Sequence, residues 1–105
     1  MLRATAGGGG SSSPSKIAIT SSRSTTSADD NALLENSTVT NYTITVAAGT
    51  VPNGLVLQQL NTGLITIAAG AGVTFIGSVL STSGAGQTIS IIPTTTANTF
   101  NVKVG

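Results

Sequence analysis

The chain has 105 residues, of which 39% are hydrophobic and only 7% charged, with four Lys/Arg against three Asp/Glu for a net charge of +1. That balance excludes the basic stripe of a nucleic-acid binder and an acidic solvating tail. The hydrophobic share excludes the low-hydrophobicity, high-charge composition of a disordered chain. Cysteine and histidine are both absent, so no disulfide framework, thiolate metal site or histidine general base can be built.

Residues 1–27 read as an extended N-terminal arm. "MLRATA" runs into glycines rather than an apolar h-region, so no secretory signal is expected. No segment reaches the ~18 apolar residues of a membrane helix. "GGGGSSSPS" (Gly7 to Ser15) and "TSSRSTTS" (Thr20 to Ser27) have linker composition. Between them "KIAIT" (Lys16 to Thr20) puts Ile17 and Ile19 on one face at strand spacing. Those two isoleucines are the expected arm anchors, adding a strand to a neighbour's sheet edge. On this reading, deletion of residues 1–20 leaves a folded domain that no longer attaches.

Residues 28–105 read as a single β domain, without the helical spacing of three and four. "ALLEN" (Ala32 to Asn36) fits a strand or one helical turn. "TNYTITV" (Thr40 to Val46) places Tyr42, Ile44 and Val46 on one face, and "AAGTVPNG" (Ala47 to Gly54) is rich in turn formers. "LVLQQL" (Leu55 to Leu60) starts apolar on both faces, as a covered strand does. "LITIAA", the "GAG" of Gly70 to Gly72 and "VTFI" predict a hairpin, with Ile65, Ile67, Val73 and Phe75 inward. "SVLSTSGAG" (Ser78 to Gly86) predicts a short strand and a turn. "QTISII" puts Ile89 and Ile91 inward and stops at Pro93. "TFNVKV" puts Phe100, Val102 and Val104 inward, with Lys103 outward. Leu55, Leu57 and Val79 complete the expected core. Seven or eight short strands at such spacing predict an all-β fold, an antiparallel β-sandwich or barrel-like domain behind the arm.

The pattern offers no catalytic residue, cofactor site or metal site. Asp29-Asp30 fits a turn or the cap of a short helical turn better than a metal site. Glycines around Gly70 and Gly86 lack the Gly-Lys-Ser/Thr ending of a phosphate loop. A nucleophilic Ser or Thr has no histidine base to activate it. The threonines at 40, 43, 45, 66, 74, 88 and 94–96 read as solvated strand faces before they read as a saccharide platform. The loops offered for surface contact are those of Asn53 and Gly54, Ser83 and Gly84, and Thr94, Thr95 and Thr96.

"SADDNALLENSTVTNYTITVAAG" (Ser27 to Gly49), "GLITIAAGAGVTFIGS" (Gly63 to Ser78) and "ANTFNVKVG" (Ala97 to Gly105) together resemble a module of tailed-bacteriophage virion proteins. In that module an "A-D" turn leads to a short strand and an Asn, then a "T-I-T-V-x-A-G" strand, a "G-x-I-T-I-x-A-G-A-G-V-T" hairpin and a closing "A-N-T-F/W" strand. The resemblance covers about three quarters of the chain and leaves out the arm; Phe100 stands where Trp is common. It implies a head fibre, head decoration protein or tail-fibre-like module on the virion exterior. The implied partners are itself, as a homotrimer, and the major capsid protein or another virion protein. No nucleic acid, membrane or cofactor is expected. A receptor-binding tip contacting a host glycan is the alternative. Low net charge favours association, which fits either role.

Overall fold

The computed structural model describes residues 15–105. Among the described residues the fold is nearly all β, with nine strands and one 3-10 turn at Ser27–Asp29. The strands are β1 (Lys16–Ala18), β2 (Arg23–Ser24), β3 (Leu33–Asn36), β4 (Tyr42–Val46), β5 (Leu55–Gln59), β6 (Ile65–Ala69), β7 (Thr74–Ile76), β8 (Thr88–Pro93) and β9 (Thr99–Val104). They form a six-stranded sheet in the order β1-β3-β5-β8-β9-β7 and a three-stranded sheet in the order β2-β4-β6.

The chain alternates between the two sheets as it advances. β1, β3 and β5 pair in parallel on one side, and β2, β4 and β6 pair in parallel on the other. The result is a β-solenoid of three turns rather than an antiparallel sandwich. The reason is that inward-outward alternation is the same in both architectures. Period two says which side chains are buried and leaves strand direction open.

The solenoid stacks like on like. Ile17, Leu34 and Leu57 follow one another in register up one sheet, and Ile89 takes the next place. Ile44 stands on Ile67 in the other sheet. Leu34, Ile44, Leu57, Ile65 and Ile89 are completely buried. Each such side chain contributes about 1.5–3 kcal/mol by leaving water.

Two antiparallel segments close one end of the coil. β8 lies antiparallel on β5, and β9 lies antiparallel on β8. Over β6, Ile67 N–H donates to the Leu80 carbonyl at 2.8 Å and Thr82 N–H to the Ile65 carbonyl at 2.9 Å. β7 pairs in parallel with β9. The expected hairpin of residues 64–76 therefore does not form. Val73 N–H bonds the Gly70 carbonyl and Gly72 takes φ +82°, so the glycine turn exists. It carries the chain round a corner into the other sheet instead of back along β6.

Two expectations about the core change as well. Val79 is 60% exposed, because residues 80–82, not 78–79, meet β6. Ile19, Ala32, Leu34 and Val51 join the core cluster. Ile17 and Ile19 sit in the chain's own first turn: Ile17 is half-buried above Leu34, and Ile19 is 1% exposed with its N–H bonded to the Glu35 carbonyl. Residues 15–27 of the expected arm thus supply strands to both sheets, while residues 1–14 lie outside the described residues.

Beside the first turn, the Arg23 guanidinium reaches the Asp29 carboxylate with two hydrogen bonds of 2.7 and 2.9 Å. Asp29 also accepts the Thr26 N–H at 2.8 Å, capping the 3-10 turn as the sequence suggests. Burial alone pushes the Asp29 carboxyl up, but the Arg23 hydrogen bond, the Thr26 N–H and the Arg23 charge outweigh it. The net pKa is lowered, and the same hydrogen bond raises that of Arg23. A carboxyl with a lowered folded-state pKa binds protons more readily in the unfolded chain. Its contribution is present above the unfolded value of about 4 and lost as pH falls through the folded value. Urea midpoints measured from pH 6 down to pH 2 are expected to fall for the native chain, and Asp29→Asn to flatten the part of that fall lying below about pH 4. Equal acid slopes in the two proteins would remove Asp29 from the account.

Candidate ligand groove

Two grooves meet at Pro93, at the end of β8. One has a volume of about 290 Å³ and is lined by Leu55, Val56, Ile91 and Ile92 with Asn53 and Ser90 at its rim. The other, of about 220 Å³, lies between Pro52, Phe100 and the Thr94–Asn98 turn. Pro93 belongs to both. The volumes fall below the roughly 300–1,000 Å³ of drug-sized ligand pockets.

The strands explain the site. β5 and β8 pair so that Leu55 faces Ile91 and Val56 faces Ser90. The 47–54 corner enters beside the turn that joins β8 to β9. Gly54 locks the corner: its φ is +77°, and a Cβ there would collide with the Ile91 carbonyl and lie 2.9 Å from Pro93 Cδ. Asn53 is pinned through its N–H and its Nδ2, both donating to the Asp30 carboxylate at 2.8 and 2.9 Å. Across the groove, Asn98 takes φ +57° and its Oδ1 accepts the Gly49 N–H at 2.9 Å. Thr94 Oγ1 donates to the Thr99 carbonyl at 2.9 Å, holding the Thr94–Asn98 turn.

Of the loop residues singled out from the sequence, Asn53 lines one groove and Thr94 and Thr96 the adjoining one, while Thr95 in the same turn lines neither. Gly54 is buried behind them, a fixed corner of the backbone rather than a contact. Ser83 and Gly84 lie at the opposite end of β8, where Ser83 N–H and Oγ both donate to Gln87 Oε1. The threonine positions also separate. Thr43 and Thr66 are register partners on the outer face of the three-stranded sheet, beside the Thr45–Ala68 pair, and Thr66 donates to Ser81 Oγ at 3.1 Å. Thr74 and Thr88 belong to the other sheet. Tyr42 is half-buried against the core and offers no open aromatic platform.

Both grooves are mostly apolar, with hydroxyl and amide side chains among their lining residues, and neither has a charged lining residue. That suits an uncharged, hydroxyl-bearing group with an apolar face. Among the described residues, no three His, Cys, Asp or Glu side chains gather to hold a metal ion. No helix among them is long and apolar enough to cross a membrane.

Sequence reasoning missed the most complete polar site, Asn36. It is fully buried at the end of β3. Its Nδ2 donates to the Thr40 and Gly63 carbonyls at 2.9 and 3.1 Å, and its Oδ1 accepts Thr38 N–H and Oγ1 at 3.0 and 2.7 Å. All four hydrogen-bonding positions of the amide are used. Its register partner one turn later is Gln59, equally buried, which donates Nε2 to the Asn61 carbonyl while its Oε1 has no partner. The available signal was a polar amide ending each of two apolar strands, 23 residues apart. The chain matches no family model, no curated protein and no solved structure.

Proposed function

We propose that this chain is a non-enzymatic structural module of a bacteriophage-type virion, displayed on the particle exterior as a homotrimer. In this reading it attaches to the major capsid protein or another virion protein through its N-terminal end. The observation that supports it most is the asymmetry of the coil. One end is closed by β8 and by Leu80–Thr82, whereas β1 and β2 present strand edges without a further partner among the described residues. Exposed strand edges are templates for pairing with another chain, and a chain with 7% charged residues resists such pairing weakly. The likeness of Ser27–Gly49, Gly63–Ser78 and Ala97–Gly105 to phage virion modules supplies the context.

The test is incorporation. Particles assembled without this chain are expected to take up the purified full chain, and imaging is expected to place it on the outer surface. Absence of uptake, with the added chain fully folded, would refute the attachment role. The paired grooves at Pro93 favour one further reading, a tip that contacts a host glycan. Binding to host cells or glycans, competed by free sugar and without uptake on particles, would select it instead.

A further inference from the structure

The 47–54 corner ends in Asn53-Gly54, and no other asparagine of the chain is followed by glycine. Glycine has no Cβ to shield its backbone nitrogen, so that nitrogen can close on the carboxamide carbon of the preceding asparagine. It gives up its proton to a solvent base and bonds to Cγ; the Cγ–Nδ2 bond breaks and ammonia leaves. Water then opens the cyclic imide at one of its two carbonyls. The product is aspartate or a β-linked aspartate.

The folded corner opposes the first of these steps. The Gly54 N–H, which would have to be lost, donates to the Val51 carbonyl at 2.9 Å. The Asn53 N–H and Nδ2 both donate to the Asp30 carboxylate, which holds the carboxamide back toward its own N–H. That carboxylate also sets a negative charge close to a reaction that must form an anion. Gly54 cannot swing to meet the carboxamide, because the Ile91 carbonyl and Pro93 Cδ fix its place.

We infer that Asn53 is a one-way modification site: it deamidates when the corner opens, and its conversion keeps the corner open. Conversion removes the Nδ2 donor and sets a carboxylate against that of Asp30. The β-linked product also adds a carbon to the backbone just before Gly54, where the Ile91 carbonyl crowds the chain. The Gly54 carbonyl accepts the Asn31 N–H at 2.7 Å, so the residue that shifts is a stitch between two successive corners of the coil. Asn53 lines the larger groove beside Ile92 and Pro93, and that groove loses a wall as the protein ages. The inference does not require the virion reading, and its test uses no particle.

The experiment follows Asn53 in the full chain by peptide mass spectrometry at mildly alkaline pH, with β-linked aspartate detected separately. In the urea-unfolded chain Asn53 is expected to convert before every other asparagine, and in native buffer more than about tenfold more slowly. Asp30→Ala removes two hydrogen bonds to a charged group and is expected to speed conversion in native buffer by about tenfold or more. Asp30→Asn keeps one acceptor, is expected to fall between, and carries the comparison if Asp30→Ala does not fold. In the converted chain, hydrogen exchange at the Asn31 amide is expected to be about tenfold faster, with the core Leu57 amide unchanged. Equal conversion rates in buffer and urea, or in the native chain and the Asp30 variants, would overturn the protection. An Asn31 amide unmoved by conversion would overturn the opening of the corner.

Discussion

Replacement of Asn36 by alanine is expected to lower unfolding stability by about 3 kcal/mol, the cost of leaving buried partners of a lost amide unsatisfied at about 1–3 kcal/mol each. The amide joins three pieces of backbone. It ties the end of β3 to the Thr38–Thr40 corner and to the Gly63 carbonyl just before β6. Thr40 is exposed, so water can satisfy part of what is lost there. The Gly63 bond is buried and has no such recourse. Asn36→Asp tests the cause, since a carboxylate keeps the two acceptor contacts and loses the two donor contacts. Its midpoint in urea is expected to fall as well. A native midpoint in Asn36→Ala would mean that the corner holds by backbone geometry alone.

Removal of residues 1–20 is expected to destabilise the whole domain. This reverses the expectation drawn from composition, in which those residues are an arm and the remainder folds unaided. Ile19 is a core residue at 1% exposure, and Ile17 covers Leu34. Truncating a buried isoleucine to alanine costs about 2–5 kcal/mol. The deletion removes that side chain, the whole of β1 and the Ile19 N–H bond to the Glu35 carbonyl. Set against the 5–15 kcal/mol of a typical domain, the loss is a large fraction. Urea unfolding of the truncated chain is expected at a much lower midpoint than that of the full chain, with Ile19→Ala between them. Coincident curves for the truncated and full chains would restore the arm. The comparison bears on function too: failure of the truncated chain to join particles is informative only if it remains folded.

The candidate groove was partly legible. Asn53 and Thr94 to Thr96 were recognisable as turn residues between apolar runs, and Asn53, Thr94 and Thr96 line the grooves at Pro93. That they meet depends on β5 pairing with β8, where Leu55 meets Ile91 far along the chain, which no local pattern encodes. Ser83 and Gly84 have the same turn composition and lie at the other end of the strand. Gly54 carried a turn signal whose cause was hidden: the close approach of the Ile91 carbonyl is a tertiary fact.

Composition and alternation by themselves determined that this chain is built of strands, and which side of most of them is buried. Ile44, Ile65, Ile67, Ile89, Ile91 and Val102 were assigned inward by period two and are core residues. Period two is a property of one strand, so it holds whatever the neighbour does. Strand direction, the coil in place of a sandwich, and the membership of Ile17 and Ile19 in the first turn are properties of pairs. They were decided only in the tertiary structure, where corners such as Asn36 and Gly70–Gly72 turn the chain from one sheet to the other and stack each turn on the last.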